Sequence, residues 1–342
     1  MSSNGTARIE VPTRNPQKRH GDPIPAEGAG GLFSKGWFPI CKSDEVTVGQ
    51  IRREDFLDGR VVVYRGEDNV ARVMSAYCPH VGSDLSVGRV VGNSIQCAFH
   101  KWEFDREGTC TKTAIGDPAP AWAQLFKFPA MERYGVVWAH NGDLPTWDVP
   151  DFEYPDDDLV FRVYRYDPMM CDPWVAAANT PDMQHLKTVH GAKFHGSDPH
   201  EQVKWDEWGF HYSIIADDQA GVPISWELSI RGTSLFQQQG PYGDFWLGAI
   251  AGMGIPRPGQ CTVFSIQAIR KVDGSDADRI LEERFARAEY LMRRTIDNED
   301  LAILNTIHYH PGALTRSDKT LGTYLNFVRN YPRAHPSGPF IK

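Results

Sequence analysis

The chain has 342 residues and a formal net charge of −8, from 36 basic and 44 acidic side chains. Such a chain lacks the positive footprint needed to bind nucleic acid or an anionic membrane surface. No apolar run reaches the roughly 20 residues that span a bilayer, and the N-terminus lacks the apolar core of a secretory signal. We therefore expect a cytoplasmic protein of two domains that binds small molecules or protein partners.

Composition divides the first part of the chain into a tail and a small domain. Residues 1–31 are rich in Gly, Pro, Arg and Asn, which predicts a disordered tail. Over residues 32–150, short β-type runs alternate with turn residues, which predicts an antiparallel β domain. The predicted strands are residues 60–65, 71–77, 94–98, 102–105 and 134–139.

Residues 151–342 predict a second, larger domain. It follows a segment dense in Pro and Asp, residues 143–158, that is typical of a linker. β-prone runs at 223–237, 244–255 and 261–272 predict a central antiparallel sheet, and residues 276–308 carry an apolar stripe at helical spacing. The expected fold class is α+β, with helices flanking the second sheet.

Two pairs of metal-ligand residues lie in the first domain. Cys78 and His80 form one pair, and Cys97 and His100 form the other. Thiolate and imidazole together suit zinc or iron, so a structural zinc module is one alternative. A zinc finger places both cysteines before both histidines, whereas each pair here mixes the two. Mixed pairs suit a two-iron cluster in which both cysteines bind one iron and both histidines bind the other.

The residues around both pairs form a longer pattern. It consists of Cys78-Pro79-His80-Val81-Gly82, Leu85-Ser86-x-Gly88, Cys97-Ala98-Phe99-His100-Lys101-Trp102, Phe104-Asp105 and Gly108-Thr109-Cys110. This pattern resembles the Rieske oxygenase family, which commonly has Arg where Val81 stands and Gly where Lys101 stands. The resemblance implies that the two pairs hold a [2Fe-2S] Rieske cluster.

A short helix is predicted around residues 180–191. Thr180 can cap it, Pro181 fits its first position, Asp182 suits its positive end and Gly191 can end it. The helix therefore needs no metal to form. Two histidines five residues apart lie roughly 140° apart on an ideal helix, so joint ligation of one ion requires the helix to bend, widen or end between them.

This segment also contains the spacing Asn179-x-x-Asp182-x-x-His185-x-x-x-x-His190. The spacing resembles the second motif of the same family. The resemblance implies that His185 and His190 bind a mononuclear Fe(II), a metal that such centres hold with two histidines and one carboxylate. It also implies that Asp182 links a cluster histidine to an iron-ligating histidine across a subunit boundary, with Asn179 near the iron.

The third iron ligand is predicted on the last long helix. The apolar stripe comprises Leu281, Phe285, Ala288, Met292, Ile296, Ile303 and Ile307, and Asp300 fills its gap. A buried carboxylate requires a cation or a dense set of donors, so we predict that Asp300 binds the iron. Residues 298–303 are similar to the family segment that carries this ligand. Asp297 and Glu299 are the alternatives, and a helix break near Asn298 would spoil the spacing.

The resemblance implies a terminal oxygenase that uses O2 and NAD(P)H electrons relayed by a ferredoxin or a reductase. The implied products are a monohydroxylated carbon, a cis-diol or a dealkylated heteroatom. Phe236, Phe245, Leu247, Ile250 and Met253 lie in β runs that can line an apolar cavity or form the sheet core. We expect a hydrophobic aromatic or polycyclic substrate. The functional alternative is a non-catalytic Rieske electron carrier or redox sensor, which lacks the second iron.

Two further expectations rest on resemblance. The stretch Gly108-Thr109-Cys110-Thr111 and the total length look like the steroid-ring hydroxylase and cholesterol-desaturating branches of the family. Chains of this size also look like members that form homotrimers. Head-to-tail assembly in a ring would bring one cluster beside a neighbour's iron.

Overall fold

The structure, a computed structural model, describes residues 23–309 and 314–342. An antiparallel β domain is followed by a domain with a central antiparallel sheet and helices. The predicted α+β class is confirmed.

The N-terminal domain is built from short strands. These are β1 (Phe33–Ser34), β2 (Gly36–Lys42), β3 (Ile51–Phe56), β4 (Gly59–Arg65), β5 (Ala71–Ser75), β6 (Arg89–Val91), β7 (Ser94–Gln96), β8 (Glu103–Phe104), β9 (Cys110–Lys112), β10 (Ala130–Arg133) and β11 (Val136–Asn141). They form the sheets β10-β11-β2, β3-β4-β5 and β6-β7-β8-β9. Each predicted strand overlaps an observed one, while β1, β2, β3, β6, β9 and β10 were not predicted.

The second domain is organised around one antiparallel sheet. Its strands are β12 (Leu159–Arg165), β13 (Lys193–Phe194), β14 (Lys204–Asp206), β15 (Gly209–Asp217), β16 (Pro223–Arg231), β17 (Leu235–Tyr242), β18 (Phe245–Gly254) and β19 (Thr262–Arg270). The order is β12-β19-β18-β17-β16-β15-β13, with β14 paired to β15. The run predicted at 223–237 is two strands, because Gly232 turns the chain between them with φ of 60°.

Helices and one last strand complete the described chain. They are α1 (Pro173–Ala177), α2 (Met183–Thr188), α3 (Pro199–Gln202), α4 (Ala277–Met292), a π-helix (Arg293–Asp300), α5 (Leu301–Leu304), α6 (Lys319–Asn330), β20 (Arg333–Ala334) and α7 (Gly338–Ile341). Among the helices of the described residues, none is long and apolar enough to cross a membrane.

The two faces of the central sheet serve different cores. Along β18, Leu247 and Met253 join the core under the helices, whereas Trp246 and Ile250 join the core shared with the N-terminal domain. Alternate residues of a strand point to opposite faces, so both sides of β18 are covered. Gly252 permits this contact, since a Cβ there would lie 2.6 Å from the ring of Trp138.

The predicted tail needs correction at its end. Its first 22 residues lie outside the described part of the chain. Residues 23–31 are packed rather than disordered: Ile24 joins the core of the second domain. Glu27 is buried and accepts hydrogen bonds from the backbone N–H and the hydroxyl of Ser34. One apolar anchor and one satisfied carboxylate order a segment whose composition alone predicts disorder.

The end of the chain returns to the first domain. Strand β20 pairs with β1, and Ile341 is fully buried in the core of the N-terminal domain. A Cβ at Gly59 would lie 2.4 Å from the Ile341 side chain. The last residues of the segment 151–342, predicted to belong wholly to the second domain, therefore stabilise the first.

The long predicted helix is interrupted. Phe285, Ala288 and Met292 are buried as the stripe requires, but Ile303 and Ile307 are exposed by 46% and 40%. The π-helix from Arg293 to Asp300 is wider than an α-helix, so the residues after it are rotated from the α-helical stripe. Leu304 is buried in their place.

Candidate functional site

Two loops of the N-terminal domain bring the predicted cluster ligands together. Cys78 and His80 follow β5, and Cys97 and His100 follow β7. The two cysteines belong to one buried cluster of side chains, and both are at most 2% exposed. The rings of His80 and His100 have centroids 4.7 Å apart. The four side chains therefore form one group.

Each loop is shaped by its backbone. The N–H of Gly82 donates to the carbonyl of Cys78, and φ of Gly82 is 79°. In the other loop the N–H of Cys97 donates to the carbonyl of Trp102. The indole ring of Trp102 stacks on the ring of His80, with centroids 4.3 Å apart. A Cβ at Gly88 would lie 2.3 Å from the carbonyl oxygen of Gln96, so glycine permits the two loops to approach.

The unpaired atoms of this group fit a metal cluster. Nδ1 of His100 is buried and has no hydrogen-bond partner among the described residues. Burial raises the pKa of the Cys78 thiol to about 12, so this thiol needs a strong Lewis acid to become a thiolate. Two thiols and two imidazoles, one of which has a buried nitrogen without a partner among the described residues, are the donor set of a two-iron, two-sulfur cluster of the mixed kind.

Helix α2 positions the first histidine of the second group. Its cap is Asp182 rather than Thr180: Oδ1 of Asp182 accepts the N–H groups of Gln184 and His185. Oδ2 of Asp182 accepts no hydrogen bond from the described residues. The helix ends at Thr188, and the N–H of His190 donates weakly, at 3.4 Å, to the carbonyl of His185. This wide final turn brings two histidines five residues apart to the same side.

Three side chains then meet. Nε2 of His185 lies 2.9 Å from Nε2 of His190, and Oδ1 of Asp300 lies 3.2 Å and 3.5 Å from these nitrogens. Adjacent ligands of an octahedral ion with bonds of about 2.1 Å are about 3.0 Å apart, so the group can hold one ion on one face. Oδ1 of Asp300 is buried and accepts no hydrogen bond from the described residues.

The π-helix supplies the carboxylates of this site. It places Asp300 in the group and Glu299 beside it, with Oε2 of Glu299 2.7 Å from Nδ1 of His190. Oε1 of Glu299 lies 3.9 Å from Nε of Arg294. Asp297, the other predicted alternative, lies outside the group of three ligand atoms.

An apolar cavity opens onto the three side chains. It encloses about 1160 Å³ of empty space, including its open mouth, and its wall includes His185, His190 and Asp300. The central sheet, α1, the end of α4 and the π-helix form most of the remaining wall. The site therefore places a metal-ligand triad at one side of a hydrophobic chamber.

The five residues predicted to line a substrate pocket are divided by the structure. Phe236 and Met253 line the cavity. Phe245 and Leu247 lie in the same core but do not line it. The prediction for Ile250 is wrong, because its side chain lies on the opposite face of β18 and joins the core next to the N-terminal domain. The alternation along β18 contains the signal that separates Ile250 from Met253.

Polar residues also line the cavity, and most of them were not predicted. Asn179, Gln238, Asp218 and Arg294 line it, and only Asn179 was expected near the iron. The signal for Gln238 is its position two residues after Phe236 in a β run, which places both on one face. Asp218 and Arg294 carried no comparable sequence signal.

Comparison with known families assigns the N-terminal domain. Residues 36–129 match the family described as Rieske [2Fe-2S] domain. The matched segment contains both cysteine and histidine pairs, so the predicted cluster type is confirmed at the level of the domain.

Similar proteins are named as oxidative enzymes. Cholesterol 7-desaturase of Bombyx mori is 34% identical over 166 residues, which cover 47% of this chain and 36% of that protein. The oxygenase component of chloroacetanilide N-alkylformylase of Rhizorhabdus wittichii is 31% identical over 166 residues, covering 46% and 47%. The chain thus spans less than half the length of these curated relatives.

Solved structures share the fold over most of the chain. Dicamba monooxygenase bound to dicamba has a TM-score of 0.68 at 18% identity, covering 86% of this chain and 96% of that chain. The terminal oxygenase of carbazole 1,9a-dioxygenase from Novosphingobium sp. KA1 also has a TM-score of 0.68, at 17% identity, covering 87% and 89%. The likeness at this identity concerns the architecture of both domains.

Proposed function

We propose that the chain is a terminal oxygenase component of the Rieske non-haem iron oxygenase family. It uses O2 and electrons from NAD(P)H to hydroxylate, or oxidatively dealkylate, a hydrophobic ring-containing substrate. The observation that carries the proposal is the meeting of His185, His190 and Asp300, with ligand atoms within 4.8 Å of one another, at the wall of an apolar cavity.

We assign the two metal groups different tasks. Cys78, His80, Cys97 and His100 hold the Rieske cluster, which supplies one-electron transfer at a potential raised by its imidazole ligands. His185, His190 and Asp300 hold a mononuclear Fe(II), which supplies the chemistry of dioxygen activation. Glu299 accepts the Nδ1 proton of His190 in a hydrogen bond and so fixes which nitrogen of that ring faces the ion.

Electrons enter and leave through the exposed edge of the cluster site. His80 is solvent-exposed in the single chain, and Val81 and Phe99 beside it are exposed by 60% and 62%. We propose that a ferredoxin or an NAD(P)H-dependent reductase docks there. A solved structure of similar fold is a reduced complex between the oxygenase and ferredoxin of carbazole 1,9a-dioxygenase.

Asp182 is proposed as the link between two subunits of a homotrimer. The cluster ligand Cys78 and the neighbourhood of His185 belong to separate hydrophobic cores of one chain. A neighbouring chain packed head-to-tail can present its cluster histidine to the free oxygen Oδ2 of Asp182. The N–H of His185 already binds Oδ1, which holds the carboxylate at the start of α2.

The cavity supports a hydrophobic substrate, and the relatives suggest which molecules to test first. Its wall is mostly apolar, and Phe236 and Met253 lie on it. The Bombyx mori relative is named for action on cholesterol. Sterols are therefore the first class to offer the enzyme, followed by small aromatics. Asn179, also on the wall, is placed to contact substrate or the iron site.

The test is a metal count followed by turnover. Purified anaerobically, the protein is expected to be red-brown and to contain about three irons and two acid-labile sulfides per chain. Two irons would favour the non-catalytic electron carrier, and zinc alone would favour a structural module. With a surrogate ferredoxin and reductase, NADH and O2, conversion of a sterol or aromatic by the three-iron protein would establish the oxygenase; uncoupled NADH use with every substrate would count against it.

A further inference from the structure

Gln238 presents a polar side chain to the cavity without a partner among the described residues. Gln238 is 7% exposed, lines the cavity, and its side chain makes no hydrogen bond to any described residue. Its neighbours in β17 differ: Gln237 donates to the carbonyl of Asp151, and Gln239 accepts from the backbone N–H of Glu153. An amide that faces the cavity without a protein partner would be left unpaired if an apolar ligand displaced the water there, so a ligand with a hydrogen-bonding group is favoured at this position.

The surroundings of Gln238 are apolar. Gln238 pairs across the strands with Leu228, which also lines the cavity, and Trp226 is its diagonal neighbour on β16. Phe236, two residues away on the same strand, faces the same chamber. A ligand in contact with these side chains would bury its rings against them and meet the amide of Gln238, which can both donate and accept. Nε1 of Trp226 is a second donor nearby, buried and without a partner among the described residues.

Arg294 of the cavity wall lies near two carboxylates, those of Asp218 and Glu299. Nη2 of Arg294 donates to Oδ2 of Asp218 at 3.4 Å, and Oδ1 of Asp218 accepts the N–H groups of Ala220 and Val222. Asp218 also accepts from the hydroxyl of Tyr242. An anionic ligand would have to compete with Asp218 and Glu299 for Arg294, whose buried Nε makes no hydrogen bond to a described residue, and its own charge would lose hydration.

We propose that the side-chain amide of Gln238 forms a hydrogen bond with a neutral oxygen, of a hydroxyl or a carbonyl, on an otherwise hydrophobic multi-ring substrate. This inference rests on the proposed function and narrows its substrate class: the cavity selects a neutral molecule with a hydrogen-bonding oxygen over the bare hydrocarbon and over an anion. Gln238 is a specificity-determining residue of the wall, on a different element from the three iron ligands.

The test compares four probes that share one ring skeleton. They are cholesterol, cholest-4-en-3-one, the hydrocarbon cholest-5-ene and cholesterol sulfate, each labelled and supplied from cyclodextrin. Binding to the anaerobic holoenzyme is measured by equilibrium dialysis. The alcohol, the ketone or both are expected to bind roughly 5- to 100-fold more tightly than the hydrocarbon, since the latter leaves the buried amide unpaired. The sulfate is expected to bind most weakly.

Substitutions test whether Gln238 causes the preference for the oxygenated probes over the hydrocarbon. Gln238→Met keeps an unbranched side chain of similar length and removes the amide, so the Kd ratio of hydrocarbon to oxygenated probe should fall towards one. Gln238→Asn keeps the amide but withdraws it by one methylene, and an intermediate ratio is expected. Gln239→Met is the matched control, because this neighbour lies on the other face of β17 and should keep the wild-type ratio.

The outcomes separate this inference from the proposed function. The inference is overturned if a three-iron protein binds the hydrocarbon as tightly as the alcohol and ketone, if it binds none of the four probes, or if both Gln238 variants keep the wild-type preference. If one variant does not fold, the other still decides. A protein that contains two irons or zinc fails the proposed function itself, whatever its binding of sterols.

Discussion

Oε2 of Glu299 lies 2.7 Å from Nδ1 of His190, on the side of the ring opposite the nitrogen that faces His185 and Asp300. A carboxylate in this position orients a ligating imidazole and increases its basicity. We expect Glu299→Ala to weaken Fe(II) binding at the mononuclear site by about 10- to 100-fold. Anaerobic titration with Fe(II) against a competing chelator measures the affinity, and the visible spectrum reports the intact cluster.

Asp297→Ala is the matched control for Glu299. Both residues lie on the π-helix, but Asp297 lies outside the group of ligand atoms. Its variant should bind Fe(II) with wild-type affinity. If Asp297→Ala loses the iron and Glu299→Ala keeps it, the assignment of these carboxylates is wrong.

Asp300→Ala should remove the mononuclear iron and leave the Rieske cluster. The carboxylate is the only one whose oxygen approaches both ligating histidine nitrogens among the described residues, at 3.2 Å and 3.5 Å. The iron content is expected to fall from about three to about two per chain with acid-labile sulfide unchanged. Loss of the red-brown colour instead would show that Asp300 supports the first domain.

The sequence predicted that His185, His190 and Asp300 meet, but it did not predict their local geometry. The spacing of His185 and His190 demanded a helix that ends or widens, and α2 ends at Thr188. The stripe that singled out Asp300 assumed one continuous α-helix, yet a π-helix lies there, and Ile303 is exposed as a result. Asp300 stands at the end of that π-helix, where no α-helical period applies. Whether a helix widens locally depends on its tertiary contacts, and the spacing of apolar residues in the sequence does not reveal these contacts.

The substrate wall was predicted least well. A list of apolar residues in a β run does not say which face each one occupies, so Ile250 and Met253 had equal weight, although they point to opposite sides of β18. Residue alternation resolves the two faces only once the register and the second covering domain are known. Gln238 went unnoticed because it is the middle of three consecutive glutamines, and the sequence does not show which of them faces the cavity.

Asp318 should stabilise helix α2, which carries His185. It is 8% exposed, accepts from Nε2 of Gln184 in α2 at 2.5 Å, and accepts from the N–H and hydroxyl of Thr315. Asp318→Ala leaves these donors unpaired, and we expect a loss of roughly 1 to 3 kcal/mol in the free energy of unfolding. Urea unfolding measures it. Asp244→Ala, at an exposed ion pair with Arg287, should change stability by less than about 1 kcal/mol.

The effect of Asp318 should depend on pH with a definite sign. Burial raises the pKa of its carboxyl, but hydrogen bonds from Thr315 and Gln184 outweigh burial and hold the pKa below its ordinary value of 3.8. A pKa that is lower in the folded state stabilises the protein above the unfolded value, and this contribution is lost as pH falls through the folded value. The difference between wild type and Asp318→Ala should be constant above a pH of about 5 and shrink below 3.8. A difference that grows on acidification would contradict this pKa direction.

Lys101→Gly should stabilise the cluster loop. Lys101 occupies the left-handed region, with φ of 58°, where glycine is unstrained and where the family commonly has glycine. Its ammonium donates to the carbonyl of Ala98 at 2.7 Å, but this exposed bond contributes little. Relief of the strain is expected to exceed that loss and to raise stability by roughly 0.5 to 1 kcal/mol.

Thermal bleaching of the cluster's visible absorption measures the effect of Lys101→Gly without reference to turnover. Arg106→Gly is the control, since Arg106 lies in an exposed turn of the same domain and is not among the residues of positive φ. Glycine there only increases the freedom of the unfolded chain, so this variant should bleach at a lower temperature than wild type. Bleaching of Lys101→Gly at a lower temperature as well would mean that the lysine, through its bond to Ala98, stabilises the loop more than its backbone strain destabilises it.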